Sequence, residues 1–136
     1  MPFVLDASVA ACWAFEDEDH PTASLALERL RTDEAHVPSP WWYEMRNILI
    51  VNERRGRLTE ADTAAFLFGL SRLDLVADHT PEEAGTLALA RKHGLTVYEA
   101  CYLDLARRMR LPLATLDKPL ARAASAENVV LFGATP

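Results

Sequence analysis

The sequence lacks several features that mark other classes of protein. No apolar run approaches the roughly 20 residues that a membrane-spanning helix requires, so we expect no membrane insertion. Glycine is scarce, with 5 in 136 residues, and neither G-x-x-x-x-G-K-S/T nor G-x-G-x-x-G occurs, which argues against a glycine-rich nucleotide-binding loop. Excess positive charge is also missing: the net charge of −6 argues against binding of nucleic acid through bulk electrostatics.

Cysteine and histidine are sparse as well. The 2 cysteines, Cys12 and Cys101, lie in apolar segments of helical character, and the opening MPFVLDAS has no basic region that would begin a secretory signal. We therefore predict a cytoplasmic protein in which both thiols are reduced and packed in the core. The 4 histidines show no metal-ligand spacing and are predicted to lie at the surface: His20, His36, His79 and His93.

Short apolar runs alternate with helical segments along the whole chain. The composition, 50% hydrophobic and 25% charged, is typical of one soluble globular domain. Strands are predicted at residues 2–5, 35–37, 73–77, 113–116 and 129–132. Helices are predicted at 7–15, over about a dozen residues ending near Arg31, at 41–55, after Thr59, at 80–94, from 96 to about 109 and from 118 onward. This alternation predicts a single α/β domain over residues 1–136, with a central, mainly parallel sheet flanked by helices.

Four acidic residues stand where an apolar run stops or a helix begins: Asp6, Glu44, Glu99 and Asp117. Asp6 and Asp117 directly follow predicted strands, and that position lies at the carboxyl end of a parallel sheet, where ligand crevices form. Carboxylates about 4 Å apart repel by several kcal/mol at an intermediate dielectric. A hard divalent cation removes that repulsion, and oxygen-rich sites suit Mg²⁺ or Mn²⁺. The four acids therefore indicate a metal site.

Each of these acids also has an explanation that needs no metal. Asp6 and Asp117 stand where helix N-caps are expected. Glu99 follows Thr96 at the spacing of a capping box, and Glu44 lies in the first turn of its helix, near the positive end of the helix dipole. Because strand–acid–helix junctions of a parallel sheet converge on one edge, the four acids taken together favour a shared site. A carboxylate near a helix N-terminus can also offer oxygens to a cation.

Polar neighbours of the acids fit a hydrated metal site. Ser8 stands two residues after the first acid, Thr115 stands two before the last, and Asn47 lies one helical turn beyond the second, on the same face. Ordinary local hydrogen bonds explain the two hydroxyls equally well, as does a polar contact on the helix face for Asn47. Asp104 lies about 140° around its helix from Glu99 and is predicted to face solvent or the rim of the site.

Four segments resemble, in order, the acidic motifs of PIN-domain ribonucleases, and the resemblance is greatest to the VapC-like toxins of VapBC-type toxin–antitoxin systems. The segments are VLDASV, P-x-x-x-E-M-R-N at residues 40–47, TVYEACYLDLA and LATLDKPL. The resemblance runs from Phe3 to about Phe132 and implies a PIN fold. It assigns metal binding and catalysis to the four junction acids: Asp6, Glu44, Glu99 and Asp117. One position departs from the family pattern, since Glu99 stands where the third motif usually carries Asp.

The resemblance also implies a function. It implies hydrolysis of RNA phosphodiester bonds with Mg²⁺ or Mn²⁺, a homodimer, and inhibition by a small antitoxin protein. In the mechanism that we expect, Asp6, Glu99 and Asp117 hold one or two cations that activate a water for attack on the phosphate. Glu44 joins them partly through waters and orients or deprotonates the attacking water. The RNA is expected to enter as a single strand or loop.

Two other functions are compatible with the acids. A metal-dependent phosphatase on a related α/β scaffold would use a similar cluster, but an aspartyl-nucleophile phosphatase needs a second Asp where this chain has Ser8. A non-catalytic α/β interaction module would carry the acids only as helix caps. Divalent-metal binding separates this module from both enzymes. Digestion of RNA, compared with small phosphomonoesters, separates a nuclease from a phosphatase.

Overall fold

Four short strands form one fully parallel sheet in the computed structural model, which describes residues 1–133. The strands are β1 (Phe3–Leu5), β2 (Ala35–Pro38), β3 (Leu75–Asp78) and β4 (Leu113–Ala114). Their order is β3-β2-β1-β4, so the chain builds outward from β1 on one side and then returns to add β4 on the other. In such a sheet the crevice lies beyond the carboxyl ends of the strands where the direction reverses. Here that point lies between β1 and β4.

Helices occupy most of the remaining described residues, which confirms the predicted α/β class. They are α1 (Ala7–Cys12), α2 (Pro21–Arg29), α3 (Pro40–Arg54), α4 (Glu60–Ser71), α5 (Glu83–His93), α6 (Val97–Met109) and α7 (Lys118–Ala126). Capping boxes begin α4 at Thr59 and α6 at Thr96, as the spacing of their acids predicts. Gly94 ends α5 with a left-handed backbone, φ 63°, which glycine adopts without strain.

Several predicted elements differ from the structure. The first helix ends at Cys12 rather than at residue 15, and β4 ends at Ala114 rather than at residue 116. Residues 129–132 form no named strand, because only Leu131 makes an isolated bridge, to Leu113. Thr80 is not the cap of α5: the Glu82 side chain accepts from the amides at the helix start instead. The predicted domain also includes residues 134–136, which lie outside the described residues.

The core lies on both faces of the sheet, which is usual for parallel strands covered by helices. All three residues of β1 are fully buried. The ring of Phe3 packs on that of Phe132 with centroids 4.5 Å apart. Helix α6 packs against β1, β2 and β4 through a buried apolar face that includes Leu103 and Leu105. This packing fixes the position of α6, whose first turn carries one of the four acids.

The predicted thiols and histidines agree only in part with the structure. Cys12 and Cys101 are unpaired, as predicted, but both are half-buried rather than fully enclosed. The prediction of surface histidines is wrong for two of them, because the His36 and His93 side chains are only 11% and 13% exposed. Each lies against a glutamate, at 3.0 Å and 2.6 Å respectively. Within residues 1–133 no helix is both long enough and apolar enough to span a bilayer.

Asp104 was predicted to face solvent or the rim of the site, and this prediction is wrong. Its side chain is buried and accepts from Arg108 Nε at 2.7 Å, while another guanidinium nitrogen of Arg108 lies 2.8 Å from Asp78 at the end of β3. The carbonyl oxygen of Asp78 accepts from the hydroxyl of Ser39, at the start of α3, at 2.9 Å. This cluster, the Arg108 clamp, ties α6 and the end of β3 together and connects them to the start of α3.

Candidate active site

Two of the four acids follow the two strands at the reversal of the sheet. Asp6 comes directly after β1, and Asp117 comes three residues after Ala114, which pairs with Leu5 in parallel register. Both acids occupy N-cap positions, of α1 and α7, but neither side chain makes a well-formed capping hydrogen bond; the Leu120 amide is close enough to Asp117 only to lower its pKa slightly against the larger raising effects. A simple capping role therefore does not account for either carboxylate.

The Asp6 carboxylate is buried and bound by two hydroxyls. Ser8 Oγ and Thr115 Oγ1 each lie 2.7 Å from Asp6 Oδ2. Burial raises the pKa of Asp6 above its ordinary value, whereas these hydroxyl donors lower it and so partly offset that effect. Because this carboxylate is 6% exposed and has no cationic partner, its ionised form destabilises the folded state.

The same two hydroxyls connect Asp6 to the segment that carries Asp117. The amide of Leu116 donates to Ser8 Oγ at 3.0 Å, and the amide of Asp117 donates to Thr115 Oγ1 at 3.0 Å. Because each hydroxyl accepts from a backbone N–H, its own proton is directed to Asp6. Ser8 and Thr115, predicted as polar neighbours, therefore hold the first and last acids in a fixed relationship.

Glu44 is held by a residue that the sequence did not single out. The hydroxyl of Tyr102 on α6 donates to Glu44 Oε1 on α3 at 2.8 Å. Burial and the nearby charges of Asp6 and Glu44 raise the pKa of Tyr102 well above its usual range, so the phenol remains a donor. Burial is also the main cause that raises the pKa of Glu44, and the charges of Asp6 and Glu99 add to it.

Glu99 caps its helix and also lies beside Asp117. Its amide donates to Thr96 Oγ1 at 3.0 Å, and the Thr96 amide donates to Glu99 Oε1 at 3.2 Å, so the predicted capping box is present. Burial, followed by the contact with the Glu99 carboxyl group, raises the pKa of Asp117. The two carboxyl groups therefore lie near each other, and capping does not remove Glu99 from the acid cluster.

The chemistry of these groups fits a hard cation, although the side chains are not closed around one. In the part of the chain that the structure describes, none of the ten ion pairs involves the four acids. Their mutual repulsion is therefore uncompensated by protein cations. Within residues 1–133 no group of three or more His, Cys, Asp or Glu side chains is arranged to hold a metal ion. Thr96 and Tyr102 each hold one oxygen of an acid, Glu99 and Glu44. Direct coordination of one ion by three of the acids requires their side chains to rotate from this arrangement.

A cleft of about 800 Å³ opens over the acids. Its lining comes from the starts of three helices and the segments before them: Ser39, Pro40, Tyr43, Glu44, Asn47, Thr96, Tyr98, Glu99 and Asp117. Asn47 lies in the cleft with Glu44, as their shared helix face predicts. Asp6 is not among the lining residues, which agrees with its burial beneath the hydroxyls. Three of the four acids are thus accessible to a ligand of substantial size.

Comparison with known proteins places the chain in a family. Residues 3–126 match the family model of the PIN domain. The chain is 35% identical over 124 residues to "Ribonuclease VapC3" of Pyrobaculum aerophilum, and the match covers 89% of this chain and 93% of the relative.

Solved structures share the fold at lower sequence identity. The crystal structure of PAE2754 from Pyrobaculum aerophilum superposes with a TM-score of 0.72 at 22% identity, over 90% of this chain and 84% of that one. VapBC2 from Rickettsia felis, bound to a DNA fragment from its promoter, superposes with a TM-score of 0.66 at 16% identity. That match covers 96% of this chain and 97% of the other. These similarities confirm the fold.

Proposed function

This chain belongs to the PIN-domain family and is a homologue of a VapC ribonuclease, and from this premise we propose that it is a metal-dependent endoribonuclease. The substrate is RNA, and the reaction is hydrolysis of phosphodiester bonds in the cleft between α3 and α6. The cation is Mg²⁺ or Mn²⁺, held by the four acids: Asp6, Glu44, Glu99 and Asp117.

One observation carries the proposal: the two acids at N-cap positions make no capping bond and instead belong to one cluster of carboxylates. The hydroxyls of Ser8 and Thr115 donate to the Asp6 carboxylate, and Thr115 Oγ1 also accepts from the backbone amide of Asp117, which ties the two acidic segments together. Capping would stabilise each helix at little cost. A buried carboxylate, Asp6, with other partly buried carboxylates nearby instead reduces stability unless a cation joins them. Their presence is therefore explained best by metal binding.

The site residues have different roles in the proposed reaction. Asp6, Glu99 and Asp117 supply ligand oxygens, and Ser8 and Thr115 keep Asp6 oriented. A bound Mg²⁺ or Mn²⁺ neutralises charge on the attacked phosphate and lowers the pKa of a water.

Glu44 has a different role from the other acids. Tyr102 fixes one of its oxygens, and its raised pKa makes it a better proton acceptor than an ordinary carboxylate at neutral pH. It orients and deprotonates the attacking water. Asn47, beside it in the cleft, offers an amide donor to a phosphate oxygen.

We further propose that the protein is the toxin of a type II toxin–antitoxin pair, acts in the cytoplasm, forms a homodimer and is inhibited by a small antitoxin protein. The support is the VapC relative and the fold shared with VapBC2. Exposed apolar side chains outside the core, including Val130 at 66% exposure, offer surface for both contacts. Co-purification with the product of a neighbouring gene tests the partner. Light scattering of the isolated chain tests the dimer.

The two alternative functions have less support. At the position where an aspartyl-nucleophile phosphatase needs a second Asp, Ser8 stands and donates to Asp6. A module that uses its acids only as caps has no explanation for the missing capping bonds at Asp6 and Asp117.

Cleavage assays separate these functions. The purified protein is incubated with an unstructured RNA oligonucleotide and, separately, with a small phosphomonoester, in Mg²⁺, in Mn²⁺ and in chelator. We expect RNA cleavage that requires the cation and is lost in Asp117→Asn. The matched control is Glu60→Gln, which removes an exposed acid from the first turn of α4 and should cleave at the wild-type rate. Hydrolysis of the phosphomonoester alone, or RNA cleavage unaffected by chelator, would contradict the proposal.

A further inference from the structure

We propose that Tyr43 and Tyr98 form a stacking site for unpaired RNA bases beside the acidic cluster. The inference rests on the proposed ribonuclease function and adds to it the residues that bind the bases. Tyr43 and Tyr98 are not among the site residues predicted from the sequence, and their aromatic side chains differ in chemistry from the acids.

The two tyrosines occupy matching places on two helices. Tyr43 immediately precedes Glu44 on α3, and Tyr98 immediately precedes Glu99 on α6. Both line the cleft that exposes those acids, and the two residues are 72% and 63% exposed. A helix places successive residues about 100° apart. Each helix therefore presents an acid and an aromatic ring together at the cleft.

The charge of the cleft requires a source of affinity other than protein cations. Its lining contains three carboxylates and no lysine or arginine, and the whole chain has a net charge of −6. Most non-specific affinity for nucleic acid normally comes from lysine and arginine at phosphates. Here a divalent cation can attract only the phosphates close to it. Stacking of bases on aromatic rings is the other general source of affinity for single strands.

Within residues 1–133, the two rings make one aromatic contact, between Tyr43 and Trp42. Neither hydroxyl makes a hydrogen bond in that part of the chain, in contrast to the buried Tyr102. The Tyr43 ring meets the Trp42 ring edge-on with centroids 5.0 Å apart, and the Arg46 guanidinium lies 4.0 Å over Trp42. These contacts restrict the motion of the Tyr43 ring and so reduce the entropy lost when a base stacks on it.

The arrangement also defines the class of substrate. A base in a duplex already stacks on its neighbours and cannot present its face to a tyrosine, whereas a base in a loop or single strand can. The site therefore takes RNA with unpaired bases flanking the cleaved phosphate. Contact of the same rings with a second copy of this chain or with another protein is the alternative to base stacking. Measurement of KM and of the oligomeric state distinguishes these possibilities.

The test combines substitutions in the protein with substitutions in the RNA. Steady-state cleavage of a short unstructured RNA is measured for wild type, Tyr43→Ala, Tyr98→Ala and the conservative Tyr43→Phe and Tyr98→Phe. The same RNA with an abasic residue on each side of the cleaved bond is a second substrate. Phe68→Ala is the matched control, because Phe68 is a similarly exposed aromatic residue that does not line the cleft. Light scattering reports the oligomeric state of every variant.

We expect each alanine variant to raise KM by about tenfold with kcat nearly unchanged, which is the loss of one base–aromatic stack. The phenylalanine variants should resemble wild type, because the ring and not the hydroxyl binds. The abasic substrate should be poor for wild type and lose no further affinity in the alanine variants. Phe68→Ala should have the wild-type KM.

Several results would overturn the inference. One is equal KM for wild type and both alanine variants on intact RNA. Another is a change of oligomeric state confined to the alanine variants, which would assign the rings to a protein interface. If wild type cleaves RNA but substitution of the tyrosines does not change KM, only this inference fails. If wild type cleaves no RNA in Mg²⁺ or Mn²⁺, the proposed function itself fails.

Discussion

Tyr102 donates its hydroxyl to Oε1 of Glu44 at 2.8 Å, although the two residues are 58 positions apart in the sequence. The bond joins α6 to α3 and fixes one oxygen of an acid that lines the cleft. Tyr102 is itself 1% exposed, so its ring is held by the core while its hydroxyl reaches the site. The bond therefore connects the packing of the fold to the orientation of Glu44.

Replacing Tyr102 with phenylalanine tests this relationship. Tyr102→Phe keeps the ring and removes the hydroxyl, so the free energy of unfolding should fall by only about 1 kcal/mol. RNA cleavage should fall by about tenfold, which corresponds to about 1.4 kcal/mol in the barrier, because Glu44 loses its fixed orientation. Thermal melting and single-turnover cleavage measure the two effects. Thr86→Val is the control, since it removes another buried hydroxyl, bonded to the Glu82 carbonyl at 2.7 Å, outside the cleft.

The Asp6→Asn variant tests the cost of the buried carboxylate. Burial raises the pKa of Asp6 above its ordinary value of 3.8, so the folded state holds its proton more tightly than the unfolded state does. The contribution of Asp6 to the free energy of unfolding is therefore most favourable below about pH 4, where its carboxyl group is protonated. That contribution is lost as the pH rises through the raised pKa of Asp6. In chelator, Asp6→Asn should melt at least as high as wild type at pH 7. Its advantage should shrink as the pH is lowered toward 4.

The same variant should respond differently to cations. Mg²⁺ or Mn²⁺ should raise the melting temperature of wild type, because the ion binds only the folded state. Asp6→Asn should lose most of that response. Identical melting curves for wild type in Mg²⁺ and in chelator would favour acids that act only as caps and structural groups.

Substitutions of Glu99 distinguish a metal-binding role of this residue from a capping role. Glutamine is an accepted partner in a capping box, so Glu99→Gln should change stability by well under 1 kcal/mol while abolishing RNA cleavage. Glu99→Asp keeps the charge, restores the residue usual in the resembling family and should keep or raise activity. Asp62→Asn removes the equivalent acid of the Thr59 capping box on α4 and should cleave normally. Cleavage by Glu99→Gln near the wild-type rate would remove Glu99 from the site.

The Arg108 clamp is expected to matter for stability rather than for chemistry. Arg108→Met removes the partner of the buried Asp104 and of Asp78, which should cost roughly 3 kcal/mol because a buried carboxylate is left unpaired. Adding Asp104→Asn should recover part of the loss. Chemical denaturation measures the free energy of unfolding of both variants. An Arg108→Met protein as stable as wild type would contradict a stabilising role for the Arg108 clamp.

Much of the fold follows from local patterns in the sequence. Capping boxes at Thr59 and Thr96, the helix stop at Gly94 and the buried strand Phe3–Leu5 are local signals, and the structure contains all of them. The predicted strand at 129–132 is not formed, because those residues make only an isolated bridge to the short β4. An apolar run cannot by itself show whether a neighbouring strand offers it enough hydrogen-bond partners.

The site could be predicted in part. The four acids and the hydroxyls of Ser8 and Thr115 stand at strand–helix junctions, whose location in a parallel sheet is known in advance. Tyr102 could not be found in this way, because in the sequence it is one more apolar position of α6. Asp104 was misplaced for a similar reason: helix geometry gave its direction relative to Glu99 but not the presence of Arg108 and Asp78 beside it.

The most direct test of the central claim is to locate the cation. A crystal of the wild-type protein grown or soaked with Mn²⁺ and measured for anomalous scattering shows where the ion binds. We predict a peak in the cleft between α3 and α6, within coordination distance of Asp6 and Asp117, with Glu44 and Glu99 completing the site directly or through waters. The peak should be absent in Asp117→Asn. A wild-type crystal with no peak at these acids, or with Mn²⁺ bound only elsewhere, would contradict the account.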